Sequence, residues 1–389
     1  MTAPQSAEMV AKLVSFDTTS RDSNLALIEY VADYLDGMGI ASDLTYDDDK
    51  RKANLFATIG NKDIGGVVLS GHTDVVPVDG QDWTSDPFKV VERDGHLFGR
   101  GVADMKSFVA VALALTPSFI ERAKSGRLAT PIHLAFSYDE EIGCIGVRRL
   151  IADLQRRDIK PRACIVGEPT LMKPIAGHKG KLSSRCHVHG FECHSSLSHM
   201  GVNAVEAAAE VVAYLKGMAR RFRDQGPYDP ELSPSYTTVH TGKINGGTAL
   251  NIVPKDCSFD FEFRHLPSEN PHELMAEVRR FAETRLLPEM KAVHAASGFE
   301  WHELSNSAGL STGTDEAVAQ LVMQLTGANS TGKVSFGTEG GLFQKAGIPT
   351  MVCGPGSIEQ AHKPDEFIAL DQIVQCEAFM GRLLDRLAA

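Results

Sequence analysis

Four short apolar runs, Val67-Val68-Leu69, Ile132 to Phe136, Ala163 to Val166 and Thr350 to Cys353, punctuate this chain, with helix-periodic segments such as Met105 to Leu115 and Arg148 to Leu154 between them. Runs this short, bounded by glycine as Gly66 and Gly71 bound the first, suit strands buried on both faces. Strands that alternate with helices make a mixed, mostly parallel α/β sheet sandwiched by helices, and such a sheet presents its ligands at the carboxyl ends of its strands. An amphipathic helix precedes the first run. In it Leu25, Ile28, Val31, Ala32 and Leu35 recur at helical spacing, and Gly37 and Gly39 close the segment.

The middle of the chain has a different rhythm. Ser183 to Val188 reads as a strand, Asn203 to Met218 as a helix and Tyr236 to Lys243 as a strand. Cys257, Phe259, Phe261 and Phe263 then alternate with Ser258, Asp260, Glu262 and Arg264 in the period of a half-buried strand. A helix over Pro271 to Leu287 and a strand over Phe299 to Leu304 complete the order β-α-β-β-α-β of a ferredoxin-like α+β domain. The α/β pattern resumes near Thr312. The expected organisation is therefore a catalytic domain over residues 1–178 and 309–389, with an inserted domain over 179–308. A length of 389 residues is enough for two separate cores.

Composition narrows the partners. With 43% hydrophobic and 23% charged residues the chain reads as soluble and globular. A formal charge of -11 argues against nucleic acid or an anionic membrane, both of which need a basic face. Seven cysteines (Cys144, Cys164, Cys186, Cys193, Cys257, Cys353, Cys376) are scattered and never spaced C-x-x-C, so all are read as small buried residues of a reducing cytosol. The first twenty residues include Pro4, Glu8 and Asp17 and show no basic segment followed by an apolar one, so a cytoplasmic location is expected.

The chemistry gathers where the apolar runs end. Ser70-Gly71-His72-Thr73-Asp74-Val75-Val76-Pro77 closes the first run, Asp139-Glu140-Glu141 follows the second, Glu168 follows the third, and His362 lies a short loop beyond the fourth. Asp104 stands in Gly99-Arg100-Gly101-Val102-Ala103-Asp104-Met105-Lys106, just ahead of a helix. Two imidazoles and a surplus of carboxylates are what a pair of zinc-like ions and one free general base require. Each group also has an ordinary reading: Asp104 as a helix N-cap, Asp139-Glu140-Glu141 as a solvated acidic turn. Their joint occurrence at successive strand ends favours the metal. His187-Val188-His189 has metal-like spacing but lies in an otherwise polar strand, and is read as structural. Gly354-Pro355-Gly356-Ser357 lacks the third glycine of a phosphate loop and has no amide donor at Pro355, so it reads as a tight turn carrying the His362 loop.

These segments, with Gly167-Glu168-Pro169-Thr170 and Ala361-His362-Lys363-Pro364-Asp365-Glu366, resemble the dinuclear zinc peptidases and amidohydrolases over nearly the whole chain. The resemblance implies a zinc-exopeptidase-like catalytic domain, an inserted lid and dimerisation domain, and two divalent ions, Zn²⁺ first with Co²⁺ or Mn²⁺ as alternatives. It implies hydrolysis of an amide bond by metal-bound hydroxide. Carried over position by position, Asp104 would bridge the ions, His72 and Glu168 would complete one, and Glu141 and His362 the other. Asp74 would accept the second ring N–H of His72, and Glu140 would be the general base.

In the inserted domain the resemblance implies that His194, in Cys193-His194-Ser195-Ser196, reaches the active site of the partner subunit in a homodimer and stabilises the oxyanion. Asn251, in Gly246-Gly247-Thr248-Ala249-Leu250-Asn251, and Arg264 would hold the substrate, Arg264 by a bidentate grip on an α-carboxylate. A surface ion-pair ladder with Asp260 and Glu262 is the other reading of Arg264. Gly177 and Gly180 are expected to absorb a lid rotation. Within the family, Gly337 to Phe343 and Gly354 to His362 are most similar to members that deacetylate N2-acetyl-L-ornithine in arginine biosynthesis. On that basis Glu339 or Glu359 is expected to face a cationic substrate side chain. A deacylase of another N-acyl amino acid or small dipeptide, succinyl-diaminopimelate included, shares the same metal core. A catalytically silent metal-binding scaffold is a further alternative, disfavoured because Glu140 coordinates nothing and so has little reason to persist there.

Overall fold

A computed structural model describes residues 4–388. Its chain forms two compact units: Met1–Gly177 with Leu310–Lys333 and Thr338–Ala389, and His178–Gly309 with Val334–Gly337.

In the first unit the four apolar runs are adjacent strands. Ile132–Ser137, Val67–His72, Ala163–Pro169 and Thr350–Gly354 lie side by side in that order and run parallel, at the centre of a nine-stranded sheet. Antiparallel strands Ala53–Ile59 and Ser42–Tyr46 extend one edge and make the sheet mixed. The four central strands are buried at every residue, as their unbroken apolar runs require. Enclosing each Leu, Ile or Phe contributes roughly 1.5–3 kcal/mol. The expected surface helix is Leu25–Asp36, burying Leu27, Ile28, Val31 and Leu35. Helix Lys106–Ala114 differs from it. Its residues Lys106 to Leu113 are all buried, so it runs through the core with no solvent face.

A small sheet that the sequence did not announce pairs Phe367–Ala369 with His96–Phe98, and His96–Phe98 with Val91–Arg93. It brings the segment after His362 against the segment before Arg100. The Gly99 N–H donates to the Glu366 carbonyl at 3.0 Å.

The second unit is a four-stranded antiparallel sheet in the order Thr238–Gly246, Asp256–His265, Gly180–His189, Gly298–Ser307. With helices Ala204–Gln225 and Pro271–Phe281 this is the ferredoxin-like order. Cys257, Phe259, Phe261 and Phe263 point to its core, packed with Val211, Leu215, Met218 and Val278. The helix expected over Pro271 to Leu287 is broken. One π turn, Ala282–Leu286, precedes a new helix Leu287–Val293, because Pro288 in its first turn has no N–H to continue the ladder. Gly177 and Gly180 lie outside the positive-φ region. A Cβ on Gly180 would lie 2.2 Å from the His265 ring, and one on Gly177 would lie 3.1 Å from the Leu310 carbonyl, so close packing explains both. Among the described residues no helix is long and apolar enough to cross a membrane.

Candidate metal centre

His72 closes one central strand, Glu168 lies in the next, Glu140 and Glu141 sit in the turn after Ile132–Ser137, and His362 lies in the loop after Thr350–Gly354. Because these strands are parallel neighbours, all five groups arrive at one edge of the sheet. Close approach there requires glycine. A Cβ on Gly167 would sit 1.9 Å from the Phe108 ring, and one on Gly354 would sit 1.9 Å from the Gly167 carbonyl oxygen.

Asp104 stands between the two imidazoles. Its Oδ1 is 3.0 Å from His72 Nε2 and its Oδ2 is 3.2 Å from His362 Nε2. His72 Nε2 is 3.9 Å from Glu168 Oε1, and His362 Nε2 is 3.1 Å from Glu141 Oε2. Two donor sets result, His72 with Asp104 and Glu168, and Asp104 with Glu141 and His362. Within each set the candidate ligand atoms lie within 4.8 Å of one another. The ordinary readings fail on geometry. The helix after Asp104 starts at Lys106 with no side-chain cap, and the Asp104 carboxylate turns to the imidazoles instead. Asp139 is buried and ion-paired to Lys52 Nζ at 2.6 Å, and the Glu141 side chain is 8% exposed, so this is no solvated turn.

The charge balance shows what the site can hold. Burial above all, with repulsion from neighbouring carboxylates, pushes Glu140 up to about 8 and Glu141 to about 7, and holds Glu168 well above the usual range. Hydrogen bonds to Asp104 and Glu141 push His362 up to about 10. The groups acting most strongly on these carboxylates are imidazoles and other carboxylates. Buried carboxylates so short of positive charge, with nitrogen and oxygen donors and no thiolate in either set, fit a pair of divalent cations of the zinc type.

Asp74 acts differently from expectation. The Nδ1–H of His72 donates to the Asp74 backbone carbonyl at 2.9 Å, while the nearest Asp74 carboxylate oxygen is 3.6 Å away. That carboxylate instead accepts the Glu140 N–H at 3.0 Å, the Glu141 N–H at 3.3 Å and the Ser20 hydroxyl at 2.7 Å. One residue therefore orients the His72 ring and fixes the turn bearing Glu140 and Glu141. Cys144 is more than a buried filler, since its Sγ–H donates to Glu140 Oε1 at 3.2 Å. Cys193 is only half-buried, unlike the other six cysteines.

Two residues quoted in the motifs, without a role, hold the Asp104 loop. Glu366 accepts N–H bonds from Gly101, Ala103 and Asp104 at 3.0, 2.8 and 3.1 Å, and pairs with Arg100 at 2.8 Å. Arg100 also donates to the Lys363 carbonyl and to Gln81 Oε1, and the Gln81 amide donates to the His362 carbonyl at 2.9 Å. Glu339 must be corrected. It is 1% exposed, and its carboxylate accepts from the hydroxyls of Ser70 and Ser137 within the first unit, so it is no recognition group at a surface. Glu359, the other candidate, is exposed in the loop that leads to His362.

In the second unit His194 is exposed, and its Nδ1 accepts the Ser196 N–H at 3.2 Å. The Ser195 N–H donates to the Asn251 carbonyl at 3.0 Å, which brings His194 and Asn251 into one neighbourhood. Arg264 is half-buried and donates through Nε to Glu262 Oε1 at 3.0 Å, while Lys181 reaches the other oxygen of Glu262 at 3.5 Å. Of the two ladder partners Arg264 engages Glu262, while Asp260 is held by Arg185.

Known proteins share this architecture. Residues 68–386 match the model of peptidase family M20/M25/M40. An acetylornithine deacetylase from Pasteurella multocida is 32% identical, over 98% of this chain and 97% of its own length. Another, from Proteus mirabilis, is 34% identical over 95% and 92%. Among solved structures, aminopeptidase PepT from Bacillus cereus superposes with a TM-score of 0.74 at 18% identity, over 99% of both chains. A Bacillus subtilis dinuclear metal-binding peptidase of the M20 family superposes with 0.67 at 13% identity, over 98% and 97%.

Proposed function

Since the chain belongs to peptidase family M20/M25/M40 and is a metal-dependent amide hydrolase, we propose that it removes the acetyl group of N2-acetyl-L-ornithine, giving L-ornithine and acetate in arginine biosynthesis. The observation that carries the site assignment is Asp104, with one oxygen directed to each histidine. In this reading Asp104 would serve both of two divalent ions, zinc by first preference. His72 and Glu168 would hold one with it, and Glu141 and His362 would hold the other.

When bound, such ions acidify water and polarise a carbonyl oxygen. The protein supplies the proton traffic. Glu140 belongs to neither donor set, lies beside both, and is fixed through its N–H by Asp74 and through its carboxylate by Cys144. It takes a proton from the attacking water, the carbonyl carbon gains the oxygen, and Glu140 returns that proton to the nitrogen as the C–N bond breaks. Its burial raises its proton affinity, which opposes the pull of two adjacent cations and suits a group that must take a proton and give it back. His194 of a partner subunit would donate to the oxyanion, so the active form is a homodimer through the second unit. Asn251 and Arg264 would close on the substrate, Arg264 after exchanging Glu262 for the α-carboxylate. A cytoplasmic location goes with this role.

Substrate choice rests on Glu359. Kinetic comparison of N2-acetyl-L-ornithine with N-acetyl-L-methionine and N2-succinyl-LL-diaminopimelate tests it, with the largest kcat/KM expected for the first. Glu359→Gln should lower that value at least several-fold while leaving N-acetyl-L-methionine turnover unchanged. Equal losses on both would remove Glu359 from recognition. A larger kcat/KM for either other substrate would establish the second reading, another N-acyl amino acid or small peptide, which the peptidase relatives favour.

A further inference from the structure

The outer face of the second unit's sheet carries a group of side chains that amide hydrolysis does not use. His187 and His189 are two apart in strand Gly180–His189, so they share a face, and their rings stack with centroids 4.5 Å apart. Across the sheet, Asp256 pairs with His189 and Glu300 pairs with His187, while the intervening Cys186, Val188 and Cys257 face the core. The register alone thus gathers two imidazoles and two carboxylates from three neighbouring strands.

We propose that His187, His189 and Asp256 form a further divalent transition-metal site, separate from the two donor sets around Asp104. His187 Nε2 and His189 Nδ1 lie 3.6 and 3.7 Å from the same oxygen, Asp256 Oδ1, and all three ligand atoms fall within 4.8 Å of one another. Those separations are too long for hydrogen bonds. They approach the edge of about 3.4 Å that a tetrahedron of ligands around zinc would have.

The surroundings match a metal-bound imidazole. With His189 Nδ1 turned to the ion, its Nε2–H faces Glu300 Oε2 at 3.4 Å, and Glu300 Oε1 in turn faces His302 Nε2 at 3.1 Å. A carboxylate behind the ligating histidine fixes its tautomer and strengthens its donation. Competing cations are occupied elsewhere: Arg185 holds Asp260 at 2.7 and 2.8 Å, and Lys255 holds Glu192 at 3.3 Å. His187 and His189 are 39% and 42% exposed, so an ion can enter from solvent and water can complete its coordination. Two imidazoles and one carboxylate favour Zn²⁺, Ni²⁺ or Cu²⁺ over Mg²⁺ or Ca²⁺. The ion would tie strands Gly180–His189 and Asp256–His265 directly, and Gly298–Ser307 through Glu300.

The test compares full-length enzyme, equilibrated with micromolar free Zn²⁺, with the variant His187→Asn/His189→Asn and, separately, Asp256→Asn. Metal content should fall by one Zn²⁺ per chain in the double variant, with kcat for amide hydrolysis unchanged. Enzyme whose two donor sets around Asp104 are already filled with Zn²⁺ should, on addition of one equivalent of Cu²⁺, show copper ligated by two nitrogens in its electron paramagnetic resonance spectrum, and the double variant should lose that component. Equal zinc content in all three proteins would overturn the proposal and leave an imidazole–carboxylate network only. Should the double variant also lose turnover, Asp256→Asn decides: weakened zinc uptake with normal turnover supports the site, and uptake equal to wild type overturns it.

Discussion

Replacing Arg100 with methionine removes the guanidinium paired with a carboxylate, Glu366, that is buried against the Asp104 loop. Arg100 and Glu366 each have side chains only 1% exposed, at 2.8 Å from one another. Breaking a buried pair from one side costs roughly 3–5 kcal/mol. Three backbone N–H groups still bond Glu366 in the variant, which places the expected loss near the lower end, at about 3 kcal/mol. For a folding unit of this size each kcal/mol moves the melting temperature by roughly 2–4 °C, so a drop of about 6–12 °C is expected. The same change cuts the links from Arg100 to Lys363 and, through Gln81, to His362, loosening one loop of ligands against the other. Loss of such support typically weakens metal binding by about 10–100-fold. Circular dichroism melts of the metal-loaded protein, with zinc affinity measured against a competing chelator, provide the assay. A melting temperature within about 2 °C of wild type, together with unchanged affinity, would refute the reasoning.

Removing the ions should make stability depend on pH. Burial raises Glu140 to about 8 and Glu141 to about 7 from an ordinary 4.5. A carboxyl raised on folding contributes stability below its unfolded pKa and loses it as pH climbs through the folded one. Buried His133 and His178, held down to about 4, add stability as pH rises to about 6.5, so the metal-free protein should show its fall in melting temperature from about pH 6.5 to about pH 8, with a much smaller decline once Zn²⁺ is bound. A level or rising metal-free profile over that range contradicts the assignment. Glu140→Gln and His194→Ala homodimers should each lose turnover by about 10²-fold or more. Mixing the two and allowing subunits to exchange should restore activity, because one site of the mixed dimer then has both groups intact; no recovery on confirmed exchange would place His194 outside the partner's site.

How far the sequence could be read differs sharply between kinds of residue. The central strands were legible because each is a short apolar run, and strands parallel to one another put their terminal residues at one edge. His72, Glu141, Glu168 and His362 could thus be placed together without knowing any contact. Glu366 and Arg100 were not legible as a pair. They are separated by 266 positions, and their pairing depends on the small sheet His96–Phe98 with Phe367–Ala369, whose strands are too short to have a pattern. Glu339 was misjudged for a related reason. Its partners Ser70 and Ser137 lie on two different strands, and no local pattern shows that a carboxylate will be buried between them. Asp74 meets the His72 ring through its backbone carbonyl, a choice of atom that no spacing in the sequence specifies. Only the folded turn shows its carboxylate committed to the Glu140 and Glu141 amides.

The most direct test of the central claim is acetate release from N2-acetyl-L-ornithine by chelator-stripped protein as Zn²⁺ is restored, run in parallel with Asp104→Ala. The stripped wild type should be inactive and should recover turnover as zinc binds, while Asp104→Ala should stay inactive at every zinc concentration. Full turnover by the stripped protein, or recovery by Asp104→Ala, would contradict a reaction built on ions that share Asp104.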